Sequence, residues 1–178
     1  MKKNCCISII TPTFNREKSI ENTIKSVLNQ TFTDWEMLII DDLSTDKTSD
    51  IVKSFTKIDS RIKLFIRDRL PKGAPTCRNI GIKNASGKYI IFLDSDDILL
   101  PHCLDQRYNF IKQNPKLKVA IFPIACKSGN DISIIPIFPI NYPIKNFLKY
   151  DNTWTIMNPI WNKEFLLLLK GFDESYER

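Results

Sequence analysis

The sequence predicts an α/β fold: a mostly parallel, Rossmann-like sheet with helices on both faces. Three observations carry that expectation. First, residues 35–40 (WEMLII) and 89–93 (YIIFL) are largely apolar runs of strand length. They lack the polar alternation of a half-exposed strand, so each suits a strand covered on both faces. Second, segments of helical periodicity separate the strand-like runs, which is the pattern of a parallel sheet with crossover helices. Third, both apolar runs stop abruptly in acids, Asp41-Asp42 and Asp94-Ser95-Asp96-Asp97. A buried strand that ends in carboxylates must deliver them to an edge of the sheet, and the carboxyl ends of strands are where open α/β sheets bind ligands.

Taken in order, residues 6–11 (CISIIT) form a β-branched strand that Pro12 ends, and residues 13–16 form a loop. Ile20, Ile24, Val27 and Leu28 repeat with helical spacing. Residues 31–34 are a turn before the second strand. Ser44, Thr45 and Asp46 offer N-caps for a helix with Ile51, Phe55 and Ile58 on one face. Residues 62–66 form a third strand, and a charged loop containing Pro71 and Gly73 follows. Pro75 is well placed as the first residue of a helix running to Ala85, which Ser86-Gly87 closes. After the central strand, Pro101 starts a helix with Leu104, Tyr108 and Ile111 facing inward. Residues 119–124 form a further strand.

The character changes after Cys126. Residues 132–140 are apolar but contain Pro136 and Pro139, so a strand there lies at an edge or is bulged. Residues 142–152 read as irregular or as a short helix. Trp154 and Trp161 precede Asn162, which can cap a helix through Leu169 that Gly171 closes. The expectation is one domain over residues 1–178, with no internal repeat, low-complexity tract or interdomain linker.

Composition narrows the function classes. A chain of 178 residues, 43% apolar and 26% charged, can build one sizeable core. The net charge is +6, yet the basic residues are dispersed and no aromatic RNA-binding signature accompanies them, so nucleic acid is not expected. A phosphate-bearing ligand and attraction to an anionic membrane surface are both compatible with that charge. No apolar run reaches membrane-spanning length. Met1-Lys2-Lys3 is followed only by a short apolar run before Thr11-Pro12, which is unlike a signal peptide. Cys5, Cys6, Cys77, Cys103 and Cys126 are odd in number and scattered, as expected of reduced, mostly buried thiols. A cytoplasmic location is expected, with peripheral contact at the inner face of the membrane as a further possibility.

Three predicted strand ends converge. The first supplies Pro12, Thr13 and Phe14, the second Asp41 and Asp42, and the central one Asp94 and Asp96. Arg78 lies on the helix before the central strand. An aromatic ring, a carboxylate able to accept from a base N–H, an acid suited to Mg²⁺ or Mn²⁺ and an arginine for phosphate would together form a nucleotide-diphosphate site. Each residue alone also has a structural reading: Phe14 as core, Asp42 as a turn residue, Arg78 as a surface ion pair, Asp94, Ser95 or Asp96 as a helix cap. His102, the only histidine, reads as structural rather than as a metal ligand.

The stretches Ile9-Ile10-Thr11-Pro12-Thr13-Phe14-Asn15-Arg16, Ile39-Ile40-Asp41-Asp42-Leu43-Ser44-Thr45-Asp46, Cys77-Arg78-Asn79-Ile80-Gly81 and residues 85–97 occur in this order. Together they resemble family 2 glycosyltransferases of the GT-A fold. The resemblance implies inverting transfer of a sugar from a nucleotide-diphosphate donor to an acceptor hydroxyl of a surface polysaccharide, glycan or lipid-linked glycan. It implies that Pro12 and Phe14 line the nucleobase pocket, that Asp42 accepts from the base, that Arg78 sits near the diphosphate, that Asp94 faces the ribose and that Asp96 binds Mg²⁺ or Mn²⁺. The stretch Gly171-Phe172-Asp173-Glu174 resembles the segment that precedes the family's catalytic acid. That base is expected beyond Arg178, with Glu177 and Asp173 as the candidates within the chain. The resemblance thus implies a domain cut short at its C-terminus, with residues 1–100 binding nucleotide and residues 126–178 beginning an acceptor-binding part. Leu43 stands where the family has glycine, which implies a different turn after Asp42.

Two other functions compete. One is a non-catalytic nucleotide-sugar-binding fragment that lacks the base. The other is a nucleotidyltransferase, against which stands the lack of a Gly-rich, basic phosphate loop in a chain with five glycines. The absence of G-x-G-x-x-G and of G-x-x-x-x-G-K-[ST] argues against a dinucleotide dehydrogenase and a P-loop enzyme.

Overall fold

A computed structural model describes residues 5–128, 131–135 and 155–175. Its strands are β1 (Ile7–Thr13), β2 (Trp35–Asp41), β3 (Ile62–Ile66), β4 (Tyr89–Phe92), β5 (Val119–Ile121), β6 (Ile124–Ser128), β7 (Asp131–Ile135) and β8 (Pro159–Asn162). Its helices are α1 (Ile20–Leu28), α2 (Thr48–Ile58), α3 (Ala74–Asn84), α4 (Cys103–Gln113) and α5 (Lys163–Leu168). The main sheet has the order β3-β2-β1-β4-β8-β5. Strands β3, β2, β1 and β4 are parallel, and β8 runs against both of its neighbours, β4 and β5.

The apolar runs are continuous because both faces of the sheet are covered. Side chains alternate along each strand. Ile7, Ile9, Met37, Ile39, Ile91 and Leu93 pack on one face with Ile20, Ile24 and Val27 of α1 and Leu104 and Ile111 of α4. Ile10, Leu38, Ile40, Ile90 and Phe92 pack on the other with Cys77 and Ile82 of α3 and Leu166 of α5. Gly81 of α3 lies so close to β1 that a Cβ there would overlap the Ile10 side chain, which brings the helix down onto the sheet. Cys77 is buried, whereas Cys5, Cys6 and Cys103 are only partly so, and all four are free thiols.

Several local expectations are corrected. Pro12 does not end β1, which continues through Thr13. On the β4 side the ladder ends where Leu93 N donates to Ile10 O at 3.0 Å, so the missing N–H of Pro12 costs no bond. Ile58 is exposed, and Val52 is the residue of α2 buried in the core. The strand expected over residues 119–124 is two: β5 in the main sheet, and β6, which pairs with β7 in a separate hairpin. Strand β8 was not anticipated. It is four residues long, begins with a proline, and enters between β4 and β5 far from either in sequence. Asn162 does cap α5, accepting from Phe165 N at 3.0 Å, and Gly171 follows at φ 71°. Pro136, Pro139, residues 142–152, Trp154 and Glu177 lie outside the described residues. Among the described residues no helix is long and apolar enough to cross a membrane.

Candidate active site

The parallel ladder sets the strand ends level. Thr13 pairs with Asp41, and Asp41 with Ile66. Beyond the ladder, Asp42 N donates to Thr13 O at 2.8 Å and Arg67 N to Asp41 O at 2.9 Å. The sheet therefore brings Thr13–Phe14, Asp41–Asp42, Arg67 and Asp94–Asp97 to one edge.

The two acids at the end of β2 face opposite ways and do different work. Asp41 is buried and accepts from Ser44 N at 3.1 Å, from Ser44 Oγ at 2.5 Å and from Ser49 Oγ, which ties the strand end to α2. Asp42 faces the loop after β3. Its Oδ1 takes Arg67 Nε and its Oδ2 takes Gly73 N at 2.9 Å. Each oxygen keeps a lone pair, so Asp42 can still accept from a ligand N–H. The turn that follows is of the glycine type after all: Leu43 sits at φ 63°. Ser44, bonded to Asp41 through both N and Oγ, holds the turn, and the leucine side chain is left exposed.

Pro12 is buried within β1, whereas Phe14 is 52% exposed at its end, so the ring is free to stack on a planar ligand. Asn15 (φ 51°) joins the β1–α1 loop to the β2–α2 loop. Its N–H donates to Ser44 Oγ at 2.9 Å, and its Oδ1 accepts from Thr45 N at 2.8 Å. Glu17 N donates to Asp46 Oδ2 at 3.1 Å, and Lys47 N donates back to Glu17 Oε2 at 3.1 Å. These reciprocal bonds frame a cleft of about 430 Å³ that Arg16, Lys18, Asp46 and Asp96 help to line.

The acids after β4 do not continue an extended strand. Asp97 N donates back to Asp94 O at 3.1 Å, so the residues turn, and Ser19 Oγ holds the turn through Ser95 O at 2.9 Å. Asp94 Oδ1 accepts from Arg78 Nη2 at 2.8 Å. Asp96 points into the cleft, its side chain 55% exposed and 3.7 Å from Arg16 Nη2. Asp97 is partly buried; burial, and then the charges of Asp94 and Asp96, push its carboxyl up to about 6. Among the described residues no group of three or more His, Cys, Asp or Glu side chains is arranged to hold a metal ion. A hard cation that keeps its waters and binds through one or two carboxylates and substrate phosphates needs no such cage, and Asp96, 55% exposed in the cleft, is a carboxylate of the kind it takes.

The stretch 171–174 docks on α3. Phe172 N donates to Asn79 Oδ1 at 2.8 Å, and Asn79 Nδ2 donates to Phe172 O at 2.9 Å and to Glu174 Oε1 at 2.6 Å. Arg69 clasps Glu174 through both nitrogens at 2.5 and 2.6 Å, which holds that carboxyl down at about 2. Asp173 accepts from Ser175 N and Oγ at 2.9 and 2.7 Å, which also lowers its pKa. His102 Nδ1 lies 3.3 Å from Thr31 Oγ1, on the surface.

Of the residues expected at the site, Phe14, Asp42, Arg78, Asp94 and Asp96 lie along the strand-end edge, and Pro12 lies beneath it. Arg67, Arg16 and Asn79 were not anticipated. Arg67 could have been found as the first residue after a strand neighbouring the one that ends in Asp42. Nothing in the sequence pairs Asn79 with residues 172–174.

The Glycosyl transferase family 2 profile matches residues 8–168. An uncharacterized glycosyltransferase of Haemophilus influenzae is 35% identical over 166 residues, covering 92% of this chain and 65% of that protein. The UDP-Glc:alpha-D-GlcNAc-diphosphoundecaprenol beta-1,3-glucosyltransferase WfgD of Escherichia coli is 44% identical over 108 residues, covering 61% of this chain and 42% of that protein. The chain thus spans less than two thirds of either relative. The crystal structure of Staphylococcus aureus TarS residues 1–349 superposes with a TM-score of 0.79 at 25% identity, over 97% of this chain and 52% of that one. TarS 1–349 has also been solved in complex with UDP.

Proposed function

The chain belongs to glycosyltransferase family 2, and on that premise we propose that it moves a sugar from a nucleoside-diphosphate-sugar donor to an acceptor hydroxyl, with inversion, in surface polysaccharide or glycan synthesis. The observation that carries this reading is the meeting of Phe14, Asp42 and the Arg78–Asp94 pair along one edge of the sheet. Phe14 stacks on the nucleobase above the buried Pro12, and Asp42 accepts a base N–H with the lone pairs that Arg67 and Gly73 leave. Asp94 faces the ribose, and Arg78 meets the diphosphate. Asp96 would hold Mg²⁺ or Mn²⁺, which would supply positive charge to a departing nucleoside diphosphate. Arg78 donates to the phosphate oxygens and so offsets the same negative charge. A carboxylate base takes the proton of the acceptor hydroxyl. Glu174 is poorly suited to that role because Arg69 holds it ionised with a low proton affinity, so the base is expected further along the chain. The name of the E. coli relative supports a lipid-linked diphosphate glycan as acceptor, and contact with the membrane face would follow from it.

A second reading, nucleotide-sugar binding without transfer, is favoured by one observation: Asp173 and Glu174 are both engaged in bonds within the protein. Calorimetry with UDP, GDP and TDP, each with Mn²⁺ and with chelator, tests the donor site. Metal-dependent binding of one nucleoside diphosphate is expected. Equal affinity in chelator would remove the cation from the reading, and no binding would overturn it. Release of UDP from a UDP-sugar in the presence of lipid-linked acceptor then separates transfer from binding alone.

A further inference from the structure

The two central residues of α3 face different partners. Arg78 reaches Asp94 Oδ1 at 2.8 Å, and Asn79 holds the backbone of Phe172 from both sides, accepting from its N–H at 2.8 Å and donating to its carbonyl at 2.9 Å. The Phe172 ring closes the circuit. It meets Phe92, the last residue of β4, edge to face at 5.0 Å, and the Arg78 guanidinium lies 5.6 Å from its centroid. Arg78 Nε is buried and has no hydrogen-bond partner among the described residues. One hydrogen bond and the ring beneath it therefore fix the direction of the guanidinium. A free arginine side chain carries considerable rotamer entropy, so an aromatic support beneath it matters to where it points. Gly171 makes the clasp possible: its φ is 71°, and a Cβ there would overlap Asn79 Oδ1.

We propose that Asn79 is a positioning residue of the donor site: it fixes Phe172, Phe172 supports Arg78, and Arg78 is thereby held against Asp94 where the diphosphate would bind. Asn79 touches no substrate in this arrangement. The inference rests on the donor-site reading above, and it explains why residues 171–174 are bound to α3 by so many polar contacts: the segment completes the floor under an arginine contributed by another element.

The test is calorimetry of UDP with Mn²⁺ on the 178-residue chain and on Asn79→Ala, Phe172→Leu and the double variant. Asn79→Ala is expected to raise the UDP Kd about three- to thirtyfold, the range of couplings carried by residues that do not touch a ligand. If Asn79 acts through the ring, the double variant is no weaker than Phe172→Leu alone. A Kd within twofold of the parent, or losses that multiply in the double variant, would overturn the proposal. A second readout needs no ligand. Nuclear Overhauser contacts between the Arg78 side chain and the Phe172 ring are expected in the parent and lost in Asn79→Ala; their persistence overturns the proposal even if the parent binds no nucleotide, an outcome that would count against the donor site instead. Should Asn79→Ala fail to fold, Glu174→Gln, which loosens the same clasp from its exposed end, is read by the same contacts and the same Kd.

Discussion

Arg67, at the end of β3, is ion-paired with Asp42, at the end of β2, and their side chains are only 9% and 14% exposed. The pair joins two neighbouring strand ends, and Arg67 Nη1 continues to Arg69 O at 2.6 Å. Removing one partner of such a pair strands the other charge in a poorly solvated place. Arg67→Ala should cost roughly 3 kcal/mol of stability and should loosen the loop that Asp42 anchors through Gly73 N. Urea unfolding measures the first effect, and amide exchange at Gly73 the second. Unchanged protection at Gly73 would show that Asp42 holds the loop without help from Arg67.

Glu36 lies at the opposite end of the sheet and is 3% exposed. Burial acts to raise its pKa, but bonds from Lys63 Nζ (2.6 Å), Ser8 Oγ (2.6 Å) and Ser86 N (2.5 Å) outweigh it and hold the carboxyl at about 2. A carboxylate whose folded pKa is depressed stabilises the fold above its unfolded pKa, and that contribution fades as pH falls from about 4.5 through about 2. It amounts to about 3 kcal/mol at neutral pH by linkage. Glu36→Gln keeps an acceptor for the serines but sets its amide against Lys63. The variant should lose about 1–3 kcal/mol at pH 7 and show a flatter acid limb. Parallel pH–stability curves for parent and variant would exclude this role.

Leu43 offers a prediction of the opposite sign. A left-handed conformation costs a residue with a Cβ about 1–2 kcal/mol, while glycine gives back about 0.5–1 kcal/mol in unfolded-state entropy. The side chain is 52% exposed and belongs to neither core cluster. Leu43→Gly should therefore stabilise the protein by roughly 0.5–1 kcal/mol. Thermal unfolding at fixed pH checks it, and a lower midpoint would mean that the leucine makes contacts worth more than the backbone strain.

These cases mark what could be read in advance. Strands β1, β2 and β4 were legible because burial on both faces writes itself as continuous apolar runs, and their acidic ends announced the site edge. Strand β8 was not, since four residues beginning with a proline carry almost no periodic signal, and its place between β4 and β5 is decided by packing. The turn after Asp42 was not legible from the leucine at its centre, because the bonds that impose it come from the serine that follows. Ser44 donates twice to Asp41 and so over-determines the turn. The Asn79–Glu174 contact joins residues 95 positions apart, a pairing that no local pattern encodes.

The acids after β4 separate into roles that alternation along a strand does not predict. In an extended chain Asp94 and Asp96 would share a side and Asp97 would face away. The chain instead turns, with Asp97 N bonded to Asp94 O, so the distinction has to come from environment. Asp96 lines the cleft and is paired only loosely with Arg16, at 3.7 Å, so its oxygens are available to a cation. Asp97 is partly buried, and its carboxyl, raised to about 6, resists ionisation beside two like charges. Asp96→Ala should therefore weaken Mn²⁺-dependent UDP binding at least tenfold, roughly the 1.4 kcal/mol or more that one charge-assisted ligand contributes. Asp97→Asn should leave that affinity nearly unchanged and act on stability instead. A raised carboxyl pKa favours the folded state only while the group is protonated, so this contribution is present below the unfolded value near 4 and is lost as pH rises through about 6. Asp97→Asn removes that loss: it should stabilise the protein at pH 7 and do little at pH 4. Calorimetry of UDP with Mn²⁺, paired with unfolding at the two pH values, distinguishes the residues. Equal losses of affinity in Asp96→Ala and Asp97→Asn would show that the turn presents both carboxylates to the cation.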